Sequence, residues 1–113
     1  MIEAYSFGSI KVKGRKYHRD IIVFPDKIRD NWWRKEGHTL SLEDIPDILE
    51  FKPEILVIGT GAMGVMKVPP EVREELEREG IQVIVERTSS AVNTFNRLLE
   101  EGKRVVGAFH LTC

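Results

Sequence analysis

Three short, almost unbroken apolar runs occupy the second half of the chain: "EILVIG" (54–59), "IQVIVE" (81–86) and "RVVGAF" (104–109). Runs of this kind bury both faces, as strands do inside a parallel sheet; a strand with one wet face alternates apolar and polar residues. Helical stretches separate them. "SLEDIPDILEF" (41–51) opens on Ser41 as N-cap, with Asp44 three residues later, and carries an apolar stripe of Leu42, Ile45, Ile48 and Leu49. Pro46 falls near its first turn, where a missing N–H costs least. "PPEVREELEREG" (69–80) is a charged helix with Pro70 near its start, Gly80 as its stop and Arg73–Glu77 as a supporting pair. "SAVNTFNRLLEEG" (90–102) is a helix capped by Ser89 or Ser90 and ended by Gly102. Helix alternating with buried strand implies a largely parallel sheet with helices on its faces.

Residues 2–34 follow a different pattern. "IEAYSF" and "SIKVKG" alternate, and Gly14 between two such runs predicts a hairpin. "YHRDIIVF" turns continuously apolar and stops at Pro25; "KIRDNWWR" is a weaker strand candidate, and "KEGHTL" is a loop. These β segments either extend the central sheet or form a small layer beside it. With no repeat, linker or low-complexity tract, residues 1–113 read as one α/β domain. Apolar residues make up 42%, enough for a real core.

Seventeen basic residues against eighteen acidic ones leave a net charge of -1, so no excess points to nucleic acid or to an anionic membrane. No run is long enough to span a bilayer, and the N-terminus lacks the pattern of a signal peptide. The single cysteine, Cys113, has no internal disulfide partner, which fits a reducing cytoplasm.

The stretch Gly59-Thr60-Gly61-Ala62-Met63-Gly64 matches the glycine fingerprint of dinucleotide-binding folds, follows a buried strand, and has Glu86 at the end of the next one. In that fingerprint, however, the helix begins inside the glycine motif. Here Pro69 and Pro70 delay it by six residues, and Val68 before a proline is pushed out of helical geometry. The reading preferred here is a long strand-to-helix loop that needs glycine for backbone conformation or close packing. Even so, Gly59, Thr60 and Gly61 would lie at the carboxyl end of one strand and Thr88, Ser89 and Ser90 at the next, where ligands of open parallel sheets bind. Free amides and hydroxyls there would make a small anion site. Asn96, at the edge of the Val92, Phe95 and Leu99 stripe, is expected to hydrogen-bond backbone groups of residues 59–61 and fix that loop.

His110 and Cys113 put an imidazole and a thiol at a strand end. No other His/Cys cluster accompanies them, so no metal site is expected, and their odd separation sets them on opposite faces of a regular strand. The adjacent Trp32 and Trp33 would likewise point opposite ways, one into the core and one outward near Arg29, Arg34 and Lys35, where it could anchor a partner.

Taken together, "KVKG", "WWRKEGH", "LVIGTG", "MKVP", "TSSAVNTFNRLLEEGKRVVGAFH" and the ending "HLTC" resemble a small family of α/β domains of unknown function. That family includes the human adipogenesis-associated domain protein and is distantly similar to a mitochondrial complex I assembly factor. The resemblance covers nearly the whole chain and points to the archaeal founding member of the family. It implies a three-layer domain with a central mixed sheet, flanking helices and an additional N-terminal β layer. The chain is similar to the family pattern at Gly59, Gly61, Pro69, Thr88, Ala91, Asn96 and Gly102; His110, Thr112 and Cys113 resemble the adipogenesis-associated branch. No enzymatic activity transfers, whereas the assembly-factor relative implies protein interaction.

The expectation is therefore a cytoplasmic, non-catalytic binding or assembly module that uses no cofactor and contacts a protein partner or a small anion. Its expected site is Gly59, Thr60, Gly61, Thr88, Ser89, Ser90 and Asn96. The alternative is an enzyme or nucleotide-binding protein using the same hollow, with Arg87 as charge partner.

Overall fold

A computed structural model describes all 113 residues. The N-terminal β segments do both things the sequence allowed. β1 (Ile2–Ser6), β2 (Ser9–Val12) and β3 (Arg15–Tyr17) form a separate antiparallel sheet. β4 (Ile21–Val23) and β5 (Ile28–Arg29) join β6 (Ile55–Thr60), β7 (Gln82–Glu86) and β8 (Val105–His110) in a five-stranded sheet ordered β5-β4-β8-β6-β7. β6 lies parallel to β7 and β8, and β4 lies antiparallel to β5 and β8, so the sheet is mixed. All six residues of β6 and all six of β8 are buried, which is why neither shows alternation.

Successive side chains of these strands enter two separate cores. Ile21, Val23, Val57, Val105 and Phe109 face α3 (Thr88–Glu100), through Ala91, Val92, Phe95 and Leu98, together with Ile2, Ile10, Val12 and Tyr17 of the small sheet. Ile22, Leu56, Ile58, Val106 and Ala108 face the other way. They meet Ile48 of α1 (Pro46–Phe51), Val72 and Leu76 of α2 (Pro70–Arg78), and Trp32 and Leu40. α2 and α3 thus cover opposite faces, and the loops leading to them part company beyond the ends of β6 and β7. Phe95 and Phe109 lock one core through an edge-to-face contact at 5.8 Å.

Three local expectations are revised. The helix over 41–51 is broken: residues 42–44 form one 3₁₀ turn, and α1 begins only at Pro46. Proline forces the preceding Ile45 out of helical geometry, to φ -132 and ψ 43. Ser41 still caps the first turn, its N–H donating to Asp44 Oδ2 at 2.9 Å. The strand over 27–34 shrinks to Ile28–Arg29, because the chain then turns so that Trp32 N–H donates to Asp20 O. Neither Ser89 nor Ser90 caps α3. Arg87 is the N-cap, Ser89 and Ser90 sit exposed in the first turn, and the amide of Thr88 donates to the carbonyl of Gly61 at 3.1 Å.

Candidate functional site

The carboxyl ends of β6, β7 and β8 share one edge of the molecule, and Asp20, just before the antiparallel β4, arrives at the same edge. Here the glycine loop meets the start of α3. Thr88 is fully buried, and its hydroxyl accepts from the Gly61 amide at 2.8 Å while donating to His110 O at 2.6 Å. A Cβ on Gly59 would stand 2.8 Å from that hydroxyl and 3.2 Å from Thr88 Cα. Gly59 is therefore glycine because the helix start lies against it. Gly61 has φ +105, and a Cβ there would collide with the Cys113 carbonyl group and with His110 Cδ2. Close packing accounts for both glycines without a dinucleotide.

The loop amides are used internally. Ala62 N–H donates to Thr112 O, Gly64 to Gly61 O, Val65 to Cys113 O, Met66 to Thr60 O and Lys67 to His38 O. The Thr60 hydroxyl donates to Glu86 O at 3.1 Å. The expected hollow between 59–61 and 88–90 is filled by the Thr88 side chain and by residues 111–113. Asn96 is not there at all. It holds the opposite side of α3, accepting from Ile2 N–H at 3.0 Å and donating to Ile2 O at 2.7 Å. A part-buried amide in reach of an otherwise open strand end takes its partners there, which corrects the expectation that Asn96 fixes the glycine loop.

Beneath the loop lies an ionic cluster. Asp20 Oδ2 accepts from Arg34 Nη2 at 2.7 Å and from His110 Nδ1 at 2.8 Å, and its Oδ1 accepts from Leu111 N–H at 2.8 Å. A carboxylate can only accept, so Nδ1 of His110 carries the proton that faces Asp20, and the 3.1 Å approach of Arg34 Nη2 to that same nitrogen is a close contact rather than a hydrogen bond. Arg34 also donates from Nε and Nη2 to Gly37 O, and its guanidinium stacks 4.7 Å from the Trp32 ring. Burial pushes the Asp20 pKa up, but the hydrogen bonds from His110, the Leu111 amide and Arg34, with the charge of His110, outweigh it and hold the carboxyl below its ordinary 3.8. The Tyr5 hydroxyl donates to Leu111 O at 2.9 Å; burial, and then the Asp20 charge, raise its pKa. Arg34 Nη1 and His110 Nε2 have no protein partner.

An Asp–His pair with a free Nε2 is the geometry of a general base, yet the His110 side chain is only 6% exposed and no thiol or hydroxyl reaches Nε2. The arrangement anchors chain segments: Asp20 ties residues 34, 110 and 111 to the start of β4. No three His, Cys, Asp or Glu side chains stand where one metal ion could be held.

Three large apolar side chains are exposed in the segments that neighbour residues 111–113. Phe7, Met63 and Val65 are 64%, 68% and 42% exposed. Trp33 is exposed too, but beside Arg29, Lys35, Glu43 and Pro46, away from the loop. Trp32 is buried, with its indole N–H donating to Asp44 O at 3.0 Å, so it belongs to the core and to no contact surface.

Residues 2–110 match the family model described as protein of unknown function, DUF498/DUF598. The chain belongs to that family. It is 35% identical over 111 residues to a zebrafish (Danio rerio) protein named NADH dehydrogenase [ubiquinone] 1 alpha subcomplex assembly factor 3, and 30% identical over 110 residues to its human counterpart. These alignments take in 96% and 95% of the chain but 62% and 58% of those proteins, so the chain spans about three fifths of the curated relatives it matches. Among solved structures, an outer membrane protein of Bartonella henselae is 31% identical, with a TM-score of 0.84 over 99% of this chain and 94% of that one. A conserved hypothetical protein of Pyrococcus horikoshii is 26% identical, with a TM-score of 0.79 over 100% and 99%. A Mth938-like domain of Bordetella pertussis, at 23% identity and TM-score 0.77, shares the fold. No helix of this family member is long and apolar enough to cross a membrane.

Asp20 and Tyr5 escaped the sequence reading, and Arg34 entered it only as a surface neighbour of the tryptophans. Asp20 and His110 are 90 positions apart, and nothing in their spacing links them. The one available signal was His110 itself, on a strand buried on both faces, where an imidazole must find a partner.

Proposed function

We propose that this domain is a non-catalytic binding module that holds a protein partner while a larger complex is assembled, with the loop end of the central sheet as its contact surface. The observation that carries this reading is the state of the loop after β6. Nearly all its amides are bonded within the chain, while Met63 and Val65 from the same loop stand in solvent. A loop built to hold phosphate keeps its N–H groups free; this one keeps apolar side chains free. The named role of the relatives in assembly supports the same reading.

The test has two arms. Tagged protein purified from its own host should bring down one recurrent partner in fixed ratio. Thermal melts with NAD, ATP, phosphate or sulfate should show no saturable rise, since any ligand selective for the folded state raises the melting temperature by mass action. A saturable rise with a nucleotide, and no partner, would establish the nucleotide-binding alternative instead.

A further inference from the structure

We propose that the open edge of β7 pairs antiparallel with β7 of a second copy of this chain, joining two five-stranded sheets into one across a twofold axis. This surface is separate from the loop end of the sheet, and the inference stands independently of the partner-binding reading above.

The outer strands of the two sheets are β1, β3, β5 and β7. Three of them are poor edges for pairing. β5 is two residues long, β3 carries Arg15 and Lys16 among its three residues, and β1 has a register shift between Ile2 and Ala4. Short, charged or irregular edges are how proteins avoid joining to other chains. β7 has none of these devices. Gln82-Val83-Ile84-Val85-Glu86 runs in unbroken register with β6, without proline or lysine. Every residue of β6, one strand further in, is buried; in β7, Ile84, Val85 and Glu86 are half-buried and Gln82 is exposed.

Backbone bonding shows which groups the edge offers. Gln82 N–H donates to Glu54 O, and Glu86 O accepts from the Thr60 hydroxyl, so residues 82, 84 and 86 turn their peptide groups toward β6. Val83 and Val85 turn theirs outward. Arg73 Nη2 reaches Val83 O from outside at 3.0 Å, which leaves that oxygen a second lone pair.

The sequence of the edge fits a second copy, because it complements itself. Antiparallel pairing centred on Ile84 sets Val83 against Val85 of the other copy at the hydrogen-bonded positions, where both N–H···O bonds are exchanged. Ile84 meets Ile84 on the axis, and Gln82 meets Glu86, an amide donor against a carboxylate. Moving the register by one rung sets Ile84 against Glu86 or Gln82 instead. Ile84 belongs to the core under α3 and Val85 to the core under α2, so the twofold continues both layers. On the α3 side a groove of about 540 Å³ runs beside Gln82 and Ile84, with Arg97, Leu98 and Lys103 among its walls. Charges bordering the edge are mixed: Arg73 pairs with Glu77, Arg97 with Glu101, and Glu86 adjoins Arg87 and accepts from the Thr94 hydroxyl at 2.6 Å. Neither sign opposes a second copy.

Sedimentation of the whole chain up to about 1 mM should show a monomer–dimer equilibrium. Q82E, at an exposed position, sets carboxylates against each other twice and should raise the dissociation constant about tenfold. Val85→Pro deletes an outward N–H that the fold does not use and should abolish the dimer; circular dichroism of both variants reports that they fold. Register is read by oxidation in a C113S background. Ile84→Cys, on the axis, should give a disulfide-linked dimer, whereas Gln82→Cys, which faces Glu86, should not. A chain that stays monomeric, a dimer indifferent to both Q82E and Val85→Pro, or crosslinking of Q82C in place of I84C would overturn the inference. So would a monomer that loses a host protein when Val85 becomes proline, which would assign the edge to a foreign strand.

Discussion

Replacing Asp20 by Asn removes one negative charge and changes almost nothing in shape. In the native cluster that charge faces a guanidinium whose side chain is only 4% exposed, at 2.7 Å. Without it, Arg34 keeps Gly37 O as a neutral acceptor and is left as a buried, unpaired cation. Breaking a buried pair from one side costs about 3–5 kcal/mol, largely the desolvation of the orphaned partner. For a domain of this size, unfolding entropy makes each kcal/mol worth about 4 °C, so D20N should melt about 12–20 °C below the native chain. Circular dichroism at pH 7 reads this directly. The pH dependence adds a sign. Because the folded pKa of Asp20 lies below 3.8, its contribution is complete above the unfolded value and is lost as pH falls through the folded one. The gap between native and D20N stability should therefore be constant from neutrality down to about pH 5 and then close. A double variant with Asp20→Leu and Arg34→Met, which removes both charges, should be more stable than D20N. The reasoning fails if D20N melts within about 3 °C of the native chain, if the gap widens in acid, or if the double variant is the less stable one.

Three further outcomes follow from the packing. Gly59→Ala would press a methyl group against Thr88 Oγ1 and Cα and should cost about 1–3 kcal/mol by urea unfolding; an unchanged midpoint would refute the close-approach account of that glycine. Asn96→Leu removes both bonds to Ile2 and should cost about 1–3 kcal/mol, with faster hydrogen exchange in β1 and none added at residues 59–64. Phe95→Ala empties the contact with Phe109 and should cost about 3–5 kcal/mol in a thermal or urea melt.

The parts of the fold visible in the sequence are those set by local period. β6, β7 and β8 announce themselves because burial on both faces makes a run continuously apolar, and α2 because prolines and a glycine bracket it. The change of pattern near residue 40 left two places for the earlier β segments, the central sheet or a layer beside it; the mixed sheet with an extra layer is what the family resemblance implied, and the structure bears it out. What stayed hidden depends on pairings across the chain. Asn96 was correctly read as an amide needing partners, but the helix offered two directions, and only the path of β1 decides that Ile2 supplies them. Thr88 was read as part of an anion site, whereas its hydroxyl is consumed between Gly61 and His110. The Trp pair came out as expected, one indole buried and one exposed, but not for the expected reason: the residues lie on an irregular turn, where strand alternation has no force.

The sheet order has a consequence for how the chain comes to be folded. β8 sits in the middle, between β4 and β6, although it is the final strand along these residues. Until it arrives, the β4–β5 hairpin and the β6–β7 pair have no edge in common, and each exposes the valines and isoleucines that β8 will cover. During synthesis the two halves must therefore wait, unjoined, for residues 105–110 to leave the ribosome, which makes the nascent domain a late closer and a natural client for chaperones.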